Sequence, residues 1–231
     1  MVPERDVDCG DVYERARRDL VELLQSLDPD QLDARVPATP EWSVHDVLAH
    51  LVGIDADLNA GVFGPDAYTW TAVQVRSRRE RTIAELAEEW EREGPQFQAG
   101  LRLFDYEFGS HYIGDLLQHA ADIRHALGIA PPPDDQTLAV ALDFYLTSFE
   151  ETLESAGLGA VEVSVGDEHW TLGTGATIAS VSAGRFPLFR SLGGRRTLDQ
   201  IRALRWDGDV ETIVPLVSRY PVPQEPIIEA D

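Results

Sequence analysis

The chain has 231 residues, of which 43% are hydrophobic and 26% are charged, a composition typical of soluble globular proteins. Its 41 acidic and 19 basic residues give a formal net charge of −22, which disfavours nucleic acid and anionic membrane surfaces as partners. No stretch approaches the roughly 20 apolar residues that span a bilayer, and no signal peptide is visible, so we expect a cytoplasmic location.

Apolar periodicity predicts a run of helices over the first two thirds of the chain. The most specific start signal is Ser43, three residues before Asp46, because this pair forms a capping box. We expect Gly94-Pro95 to kink or break the third helix. The predicted helices cover residues 11–27, 43–61, 72–103, 110–127 and 136–155.

The last third of the chain changes character. Alternating valines predict a hairpin over 160–172, followed by a strand over 177–181 and short helices over 186–192, 198–204 and 210–217. The predicted fold class is therefore α+β, with a four-helix bundle domain over 1–156 and a small α/β domain over 157–231. No exposed apolar heptad is visible that would indicate an oligomer.

Three side chains have the chemistry and spacing of metal ligands. Asp115 and His119 lie four residues apart on one predicted helix, so both face the same side and can reach a common ion. His50 is the natural third ligand if the second helix packs beside that one. Two imidazoles and a carboxylate would leave a coordination position open, as in catalytic zinc sites. The alternatives are a surface hydrogen bond for the pair and a satisfied core-edge histidine for His50.

Two stretches are similar to a known family. Trp42-Ser43, Asp46 and His50-Leu51 follow the Trp-Ser-X-X-Asp-X-X-X-His-Leu signature of the mycothiol-dependent maleylpyruvate isomerase family, a branch of the DinB-like helical bundles. Asp115 to Asp122 is similar to the family's Glu-X-X-X-His-X-X-Asp segment.

The resemblance implies a divalent metal, usually zinc, held by His50, Asp115 and His119, with mycothiol as the thiol cofactor. Asp115 stands where the family has glutamate. Its side chain is shorter by one methylene, so direct ligation, ligation through water and no ligation all remain open. Asp122 is expected to orient an imidazole by accepting its N–H, although a surface charge is the alternative.

The C-terminal stretches Gly194-Arg195-Arg196-Thr197 and Trp206-Asp207-Gly208-Asp209 resemble the sterol-carrier-like domain found in these proteins. Family members place a C-terminal arginine near the metal to hold an acidic substrate. Arg195 and Arg196 are the candidates, because guanidinium groups suit carboxylates. A solvated or structural arginine is the alternative for each.

The resemblance implies an enzyme that uses a small-molecule thiol to isomerise or conjugate a small acidic electrophile such as maleylpyruvate. Cys9, the only cysteine, lies in a polar stretch and is not expected to be catalytic, which agrees with an external thiol. The rival hypothesis is a non-enzymatic metal-binding or ligand-binding protein.

Trp42 is predicted only to pack at the start of the second helix. The other histidines, namely His45, His111, His125 and His169, are predicted to be surface or capping residues.

Overall fold

The computed structural model describes residues 5–133 and 135–229, whose contacts divide the chain into two compact units. A helical unit spans Val7–Pro132, and a mixed unit spans Pro133–Ile228 and includes Arg5. The division falls earlier than the boundary at 156/157 expected from the sequence. The helix over Gln136–Ser155 accounts for the difference, because it packs against a helix and a strand of the mixed unit.

The helical unit is built from long amphipathic helices. Helices α1, α3, α5 and α6 pack against one another in several pairs, and α4 packs on α3. Their apolar faces meet in a core that includes Leu48, Leu86 and Ile113, each at most 1% exposed. The elements of this unit are α1 (Cys9–Gln25), α2 (Pro29–Leu32), β1 (Arg35–Val36), β2 (Thr39–Ser43), α3 (Val44–Asn59), α4 (Ala67–Arg78), α5 (Ile83–Leu103) and α6 (Tyr106–Ala126).

The start of α3 follows the predicted capping box. The Ser43 hydroxyl accepts a hydrogen bond from the Asp46 N–H at 3.2 Å, and the Asp46 carboxylate accepts one from the Ser43 N–H at 3.1 Å. This reciprocal pair satisfies two backbone donors that a helix start otherwise leaves without partners. It fixes where α3 begins and therefore which of its residues face α6.

The predicted third helix is in fact two helices, and they separate at a different place. Helix α5 runs through Gly94 and Pro95, whereas the chain leaves the helix between Arg78 and Ile83. A second capping box explains the new start. The Thr82 N–H donates to the Glu85 carboxylate, and the Glu85 N–H donates to the Thr82 hydroxyl.

The mixed unit confirms the predicted α+β fold class, because a four-stranded sheet follows the helical part of the chain. The strand order is β4-β3-β5-β6, with β3 antiparallel to β4 and parallel to β5, and β6 antiparallel to β5. Helix α7 packs against α8 and β4. The elements are α7 (Gln136–Ser155), β3 (Ala160–Val165), β4 (Glu168–Leu172), β5 (Thr177–Ser182), α8 (Arg185–Leu192), α9 (Leu198–Arg202), β6 (Arg205–Gly208), α10 (Val210–Ile213) and a 3₁₀ turn (Val214–Leu216).

A buried polar network crosses the core of the helical unit. The carboxylate of Asp55, with no solvent exposure, accepts hydrogen bonds from the Tyr13 hydroxyl at 2.7 Å and from the Trp90 indole N–H at 2.9 Å. Arg17 is 1% exposed and pairs with Glu91 at 3.2 Å. Burial raises the pKa of Asp55 to about 7, against the lowering effect of both hydrogen bonds and of Arg17.

Among the described residues, no helix combines the length and the apolar character needed to cross a bilayer.

Candidate metal centre

His50, Asp115 and His119 come together at one point in the helical unit. The Nε2 atom of His50 lies 3.9 Å from one Asp115 carboxylate oxygen, and the Nε2 atom of His119 lies 3.8 Å from the other. One ligand atom from each side chain can be chosen so that all three lie within 4.8 Å of one another. The packing of α3 against α6 therefore brings together residues that are far apart in the sequence.

The geometry follows from the helices themselves. His50 lies two turns into α3, on the face that packs against α6, while Asp115 and His119 are one turn apart on α6. Asp105 caps the start of α6 by accepting the Phe108 N–H at 2.9 Å. The two imidazole rings lie 5.1 Å apart between centroids and are nearly perpendicular, at 82°.

The two imidazoles are buried and the carboxylate is partly open to solvent. His50 is 4% exposed and His119 is 6% exposed, whereas the Asp115 side chain is 27% exposed. Burial lowers the pKa of His50 to about 4, although the nearby Asp115 carboxylate raises it. His50 is therefore neutral at neutral pH, and a neutral imidazole is the form that can bind a metal.

The donor set fits a divalent cation. Zinc takes imidazole nitrogens and carboxylate oxygens at 2.0–2.2 Å, which places neighbouring ligand atoms about 3.3 Å apart in a tetrahedral site. The separations of 3.8 and 3.9 Å run to different Asp115 oxygens, and the three ligand atoms lie within 4.8 Å of one another, so an ion would draw them closer by up to about 1.5 Å. Three protein ligands would leave one tetrahedral position for a thiol or a water molecule.

Each imidazole is backed by a different polar group. The Nδ1 atom of His50 lies 2.8 Å from the side-chain oxygen of Gln74, a residue of α4. The Nδ1 atom of His119 lies 3.5 Å from a carboxylate oxygen of the fully buried Asp122. Metal-binding histidines commonly use the second ring nitrogen as His50 does, whereas His119 Nδ1 is buried and forms no hydrogen bond with Asp122 at their 3.5 Å distance. The sequence motif pointed to Asp122 but carried no signal for Gln74.

Trp42 also contributes to the centre, although the sequence predicted only a packing role at the helix start. Its ring centroid lies 5.2 Å from that of His50 and 6.1 Å from that of His119. The cause is the short β1–β2 hairpin, which was not predicted and which carries Trp42 on its second strand. Trp42 therefore forms an aromatic wall beside both imidazoles.

Close packing of α4 on α3 is what allows Gln74 to reach His50. A Cβ atom at Gly53 would lie 2.6 Å from the Gln74 Cβ atom and 2.7 Å from its Cγ atom, which is closer than such atoms approach. Glycine at this position thus lets the two helices meet beside the centre.

Gly53→Ala is expected to push α4 away from α3 and to lower the free energy of unfolding by about 1–3 kcal/mol, the usual effect of overpacking. Urea denaturation measures the change. Gly100→Ala is the matched control, because no atom outside its own stretch of helix lies within 4 Å of a Cβ at that position. The control should raise stability by about 0.5–1 kcal/mol through better helix propensity. Equal effects at the two positions would contradict the packing argument.

The remaining histidines lie outside the cluster. The Nε2 atom of His45 lies 2.6 Å from the Arg81 carbonyl oxygen, and His111 stacks on Tyr112 at 4.9 Å between centroids. In the mixed unit, the Nδ1 atom of His169 lies 3.0 Å from the Ser164 hydroxyl oxygen across the β3–β4 hairpin. His125 is half-buried in the last turn of α6.

Arg195 and Arg196, predicted to bind an acidic substrate, belong to the mixed unit and lie between α8 and α9. Both are half-buried. The Arg195 guanidinium donates to the Gly193 carbonyl at 2.9 Å, and the Arg196 guanidinium donates to the Arg195 carbonyl at 2.8 Å. Their predicted role in substrate binding stays a prediction.

Comparisons with known proteins agree with the sequence motifs. Residues 13–107 match the family model described as the mycothiol maleylpyruvate isomerase N-terminal domain, a segment that contains His50 and ends before Asp115. No curated protein matches the sequence significantly.

Two solved structures share the fold. A crystal structure of the mycothiol-dependent maleylpyruvate isomerase is similar at 13% identity with a TM-score of 0.53, covering 81% of this chain and 88% of that chain. A point mutant of that isomerase is similar at 12% identity with a TM-score of 0.52, covering 80% and 88%. The family model thus confirms, over residues 13–107, the family resemblance that the motifs suggested, and the two solved structures show a shared fold.

Proposed function

We propose that this protein is a metal-dependent enzyme that uses mycothiol to isomerise or conjugate a small, acidic, electrophilic substrate such as maleylpyruvate. The observation that carries the proposal is the convergence of His50, Asp115 and His119, with ligand atoms within 4.8 Å of one another. The family match and the fold shared with mycothiol-dependent maleylpyruvate isomerase support mycothiol as the thiol.

In this proposal the three side chains hold a divalent ion, and the mixed nitrogen and oxygen donor set favours zinc. A zinc ion bound there supplies Lewis acidity, which favours the thiolate form of a thiol at the open position. Gln74 orients the His50 ring through the hydrogen bond at Nδ1, and the Asp122 carboxylate lies 3.5 Å from Nδ1 of His119. The partly exposed Asp115 marks the side from which solvent, and hence a thiol, reaches the centre.

The chain's own cysteine is unsuited to be the nucleophile. Cys9 is 4% exposed, and burial together with the neighbouring Asp8 raises the pKa of its thiol to about 11. A thiol with that pKa is almost entirely protonated at neutral pH, whereas the thiolate is the reactive form. The reaction therefore calls for an external thiol.

The proposed reaction needs no redox partner. The thiol sulfur adds to one carbon of a conjugated double bond, and the resulting single bond rotates. Departure of the same thiol then restores the double bond in the other geometry. A transferase would instead take up a proton and release the adduct.

Trp42, beside both imidazoles, presents an apolar face that shields this side of the centre from water.

We further propose that the mixed unit is the sterol-carrier-like domain of the family and that Arg195 or Arg196 binds the acidic group of the substrate. Guanidinium groups bind carboxylates through paired hydrogen bonds.

The proposal is tested by metal analysis of the purified protein combined with a thiol-dependence assay. Metal-loaded protein is expected to convert maleylpyruvate, or another electrophile in a panel, when mycothiol is present and not when mycothiol is omitted. Chelator-treated protein should lose this activity and regain it on addition of Zn²⁺. Bound metal without thiol-dependent turnover of any electrophile would instead favour the non-enzymatic binding protein. Detection of a stable thioether product would identify a transferase.

A further inference from the structure

A chain of hydrogen bonds leads from α4 to His50. The side-chain nitrogen of Gln74 donates to Asp57 Oδ2 at 3.0 Å, and the Trp70 indole N–H donates to the same oxygen at 2.8 Å. At the other end of the Gln74 amide, the oxygen lies 2.8 Å from His50 Nδ1. Gln74 is 1% exposed and His50 is 4% exposed, so the bond between them is shielded from water, while Asp57 and Trp70 are half-buried.

The chemistry of the partners fixes the direction of every bond. Asp57 Oδ2 accepts from both Gln74 and Trp70, so the NH₂ group of Gln74 faces Asp57 and its carbonyl oxygen faces His50. That oxygen can only accept, so the hydrogen atom of a neutral His50 ring must reside on Nδ1. The Nε2 atom is then left with a bare lone pair, and this is the atom that faces Asp115.

We infer that Gln74 is a positioning residue, held by Asp57, that selects the His50 tautomer whose Nε2 lone pair faces Asp115 and His119. The other tautomer would direct an N–H towards the centre and could not bind a metal there. The use of this selection rests on the proposed metal site, but the tautomer is a property of the metal-free chain. It is therefore measurable whether or not the proposed activity is found.

The second imidazole provides an internal reference. His119 is backed by the Asp122 carboxylate on its own helix, and its contacts include neither Gln74 nor Asp57 among the described hydrogen bonds and ion pairs. Changes at Gln74 should therefore alter the state of His50 and leave that of His119 unchanged. A general loss of packing would disturb both rings.

The decisive measurement is long-range ¹H–¹⁵N NMR of the imidazole nitrogens in metal-free full-length protein at neutral pH. Wild-type His50 is expected to show the Nδ1–H tautomer. Gln74→Met keeps the length of the side chain but removes the acceptor, so His50 should lose this preference, and Zn²⁺ affinity should fall by about 10–100-fold. Gln98→Met is the matched control, because Gln98 is a buried glutamine whose side-chain nitrogen has no hydrogen-bond partner. It should change neither quantity.

A rescue variant separates positioning from simple packing. Gln74→Glu alone would place two carboxylates about 3 Å apart, so Asp57→Asn is added to supply a donor for the new carboxylate. Trp70→Phe is added as well, because the new amide nitrogen at position 57 cannot accept the indole N–H that Asp57 accepts. The triple variant keeps an acceptor facing His50 Nδ1, so the tautomer should return and Zn²⁺ affinity should recover to within about threefold of the Asp57→Asn/Trp70→Phe background with Gln74 intact. An Nε2–H tautomer of His50 in the metal-free wild type would overturn the inference. Unchanged tautomer and Zn²⁺ affinity in Gln74→Met would also overturn it.

Discussion

His119→Ala is expected to remove bound metal and, with it, thiol-dependent turnover. The substitution deletes one of three ligands and leaves His50 and Asp115 on different helices, which is too few donors for a tight zinc site. Metal content, measured by elemental analysis, should fall below about a tenth of the wild-type value, and turnover should fall by at least about 100-fold. Zn²⁺ titration followed by Trp42 fluorescence gives an independent reading, because that ring lies 6.1 Å from His119.

His45→Ala is the matched control for this prediction. His45 lies on the same helix as His50, but its Nε2 atom contacts the Arg81 carbonyl oxygen and not the cluster. The control should keep its metal and its activity. Trp42→Phe, in turn, should abolish the fluorescence response and keep metal binding. Full metal content in His119→Ala would refute the proposed ligand set, and equal losses in His119→Ala and His45→Ala would point to unfolding instead.

Asp55→Ala is expected to be strongly destabilising. The substitution leaves the Tyr13 hydroxyl and the Trp90 N–H, both buried, without their acceptor, and it removes a carboxyl group near the buried Arg17. The free energy of unfolding should fall by about 3–5 kcal/mol, as expected when one partner of a buried polar network is removed. Urea denaturation measures this. Asp19→Ala, at an exposed position of α1, should stay within about 0.5 kcal/mol of wild type.

The same carboxyl group predicts a pH dependence of stability. Its pKa is about 7 in the folded chain and about 4 in an unfolded one, so between these values the folded state holds the proton more tightly. Wild-type stability should therefore be highest near pH 4, fall as the pH rises to about 7, and level off above it, relative to Asp55→Asn. The test is the difference in unfolding free energy between the two proteins across this range. A flat difference would show that the pKa of Asp55 is the same in both states, and a rising one would show that folding lowers it; either result would contradict the prediction.

Helices α3 and α7 were the most predictable elements of the fold. The Ser43 capping box predicted the start of α3, and apolar periodicity predicted residues 136–155 as the helix that α7 forms. The division between α4 and α5 was missed because Gly94 and Pro95 are strong breakers in isolation, whereas the Thr82 and Glu85 box is a weaker local signal. Strand β6 was missed because its Trp-Asp-Gly segment has a composition typical of turns.

The candidate site was predictable only where its residues belong to a motif. His50, Asp115 and His119 have the residue types and spacing that metal chemistry requires, and the structure brings them together. Gln74 and Trp42 had no such pattern. Each reaches the centre through tertiary structure, Gln74 by the close approach of α4 at Gly53 and Trp42 by the β1–β2 hairpin. Contacts of this kind depend on how elements pack, which periodicity along a single chain does not encode.

Because the ligand atoms come from α3 and α6, the three-ligand site forms only when these helices pack against each other. An unfolded chain offers the same side chains without bringing them together, so an ion held by all three binds the native state selectively. Such selective binding adds RT ln(1 + [L]/Kd) to native stability, or about 2.7 kcal/mol when the free ion is at a hundred times its dissociation constant. The concentration of free metal would then determine the stability of the native protein as well as its activity.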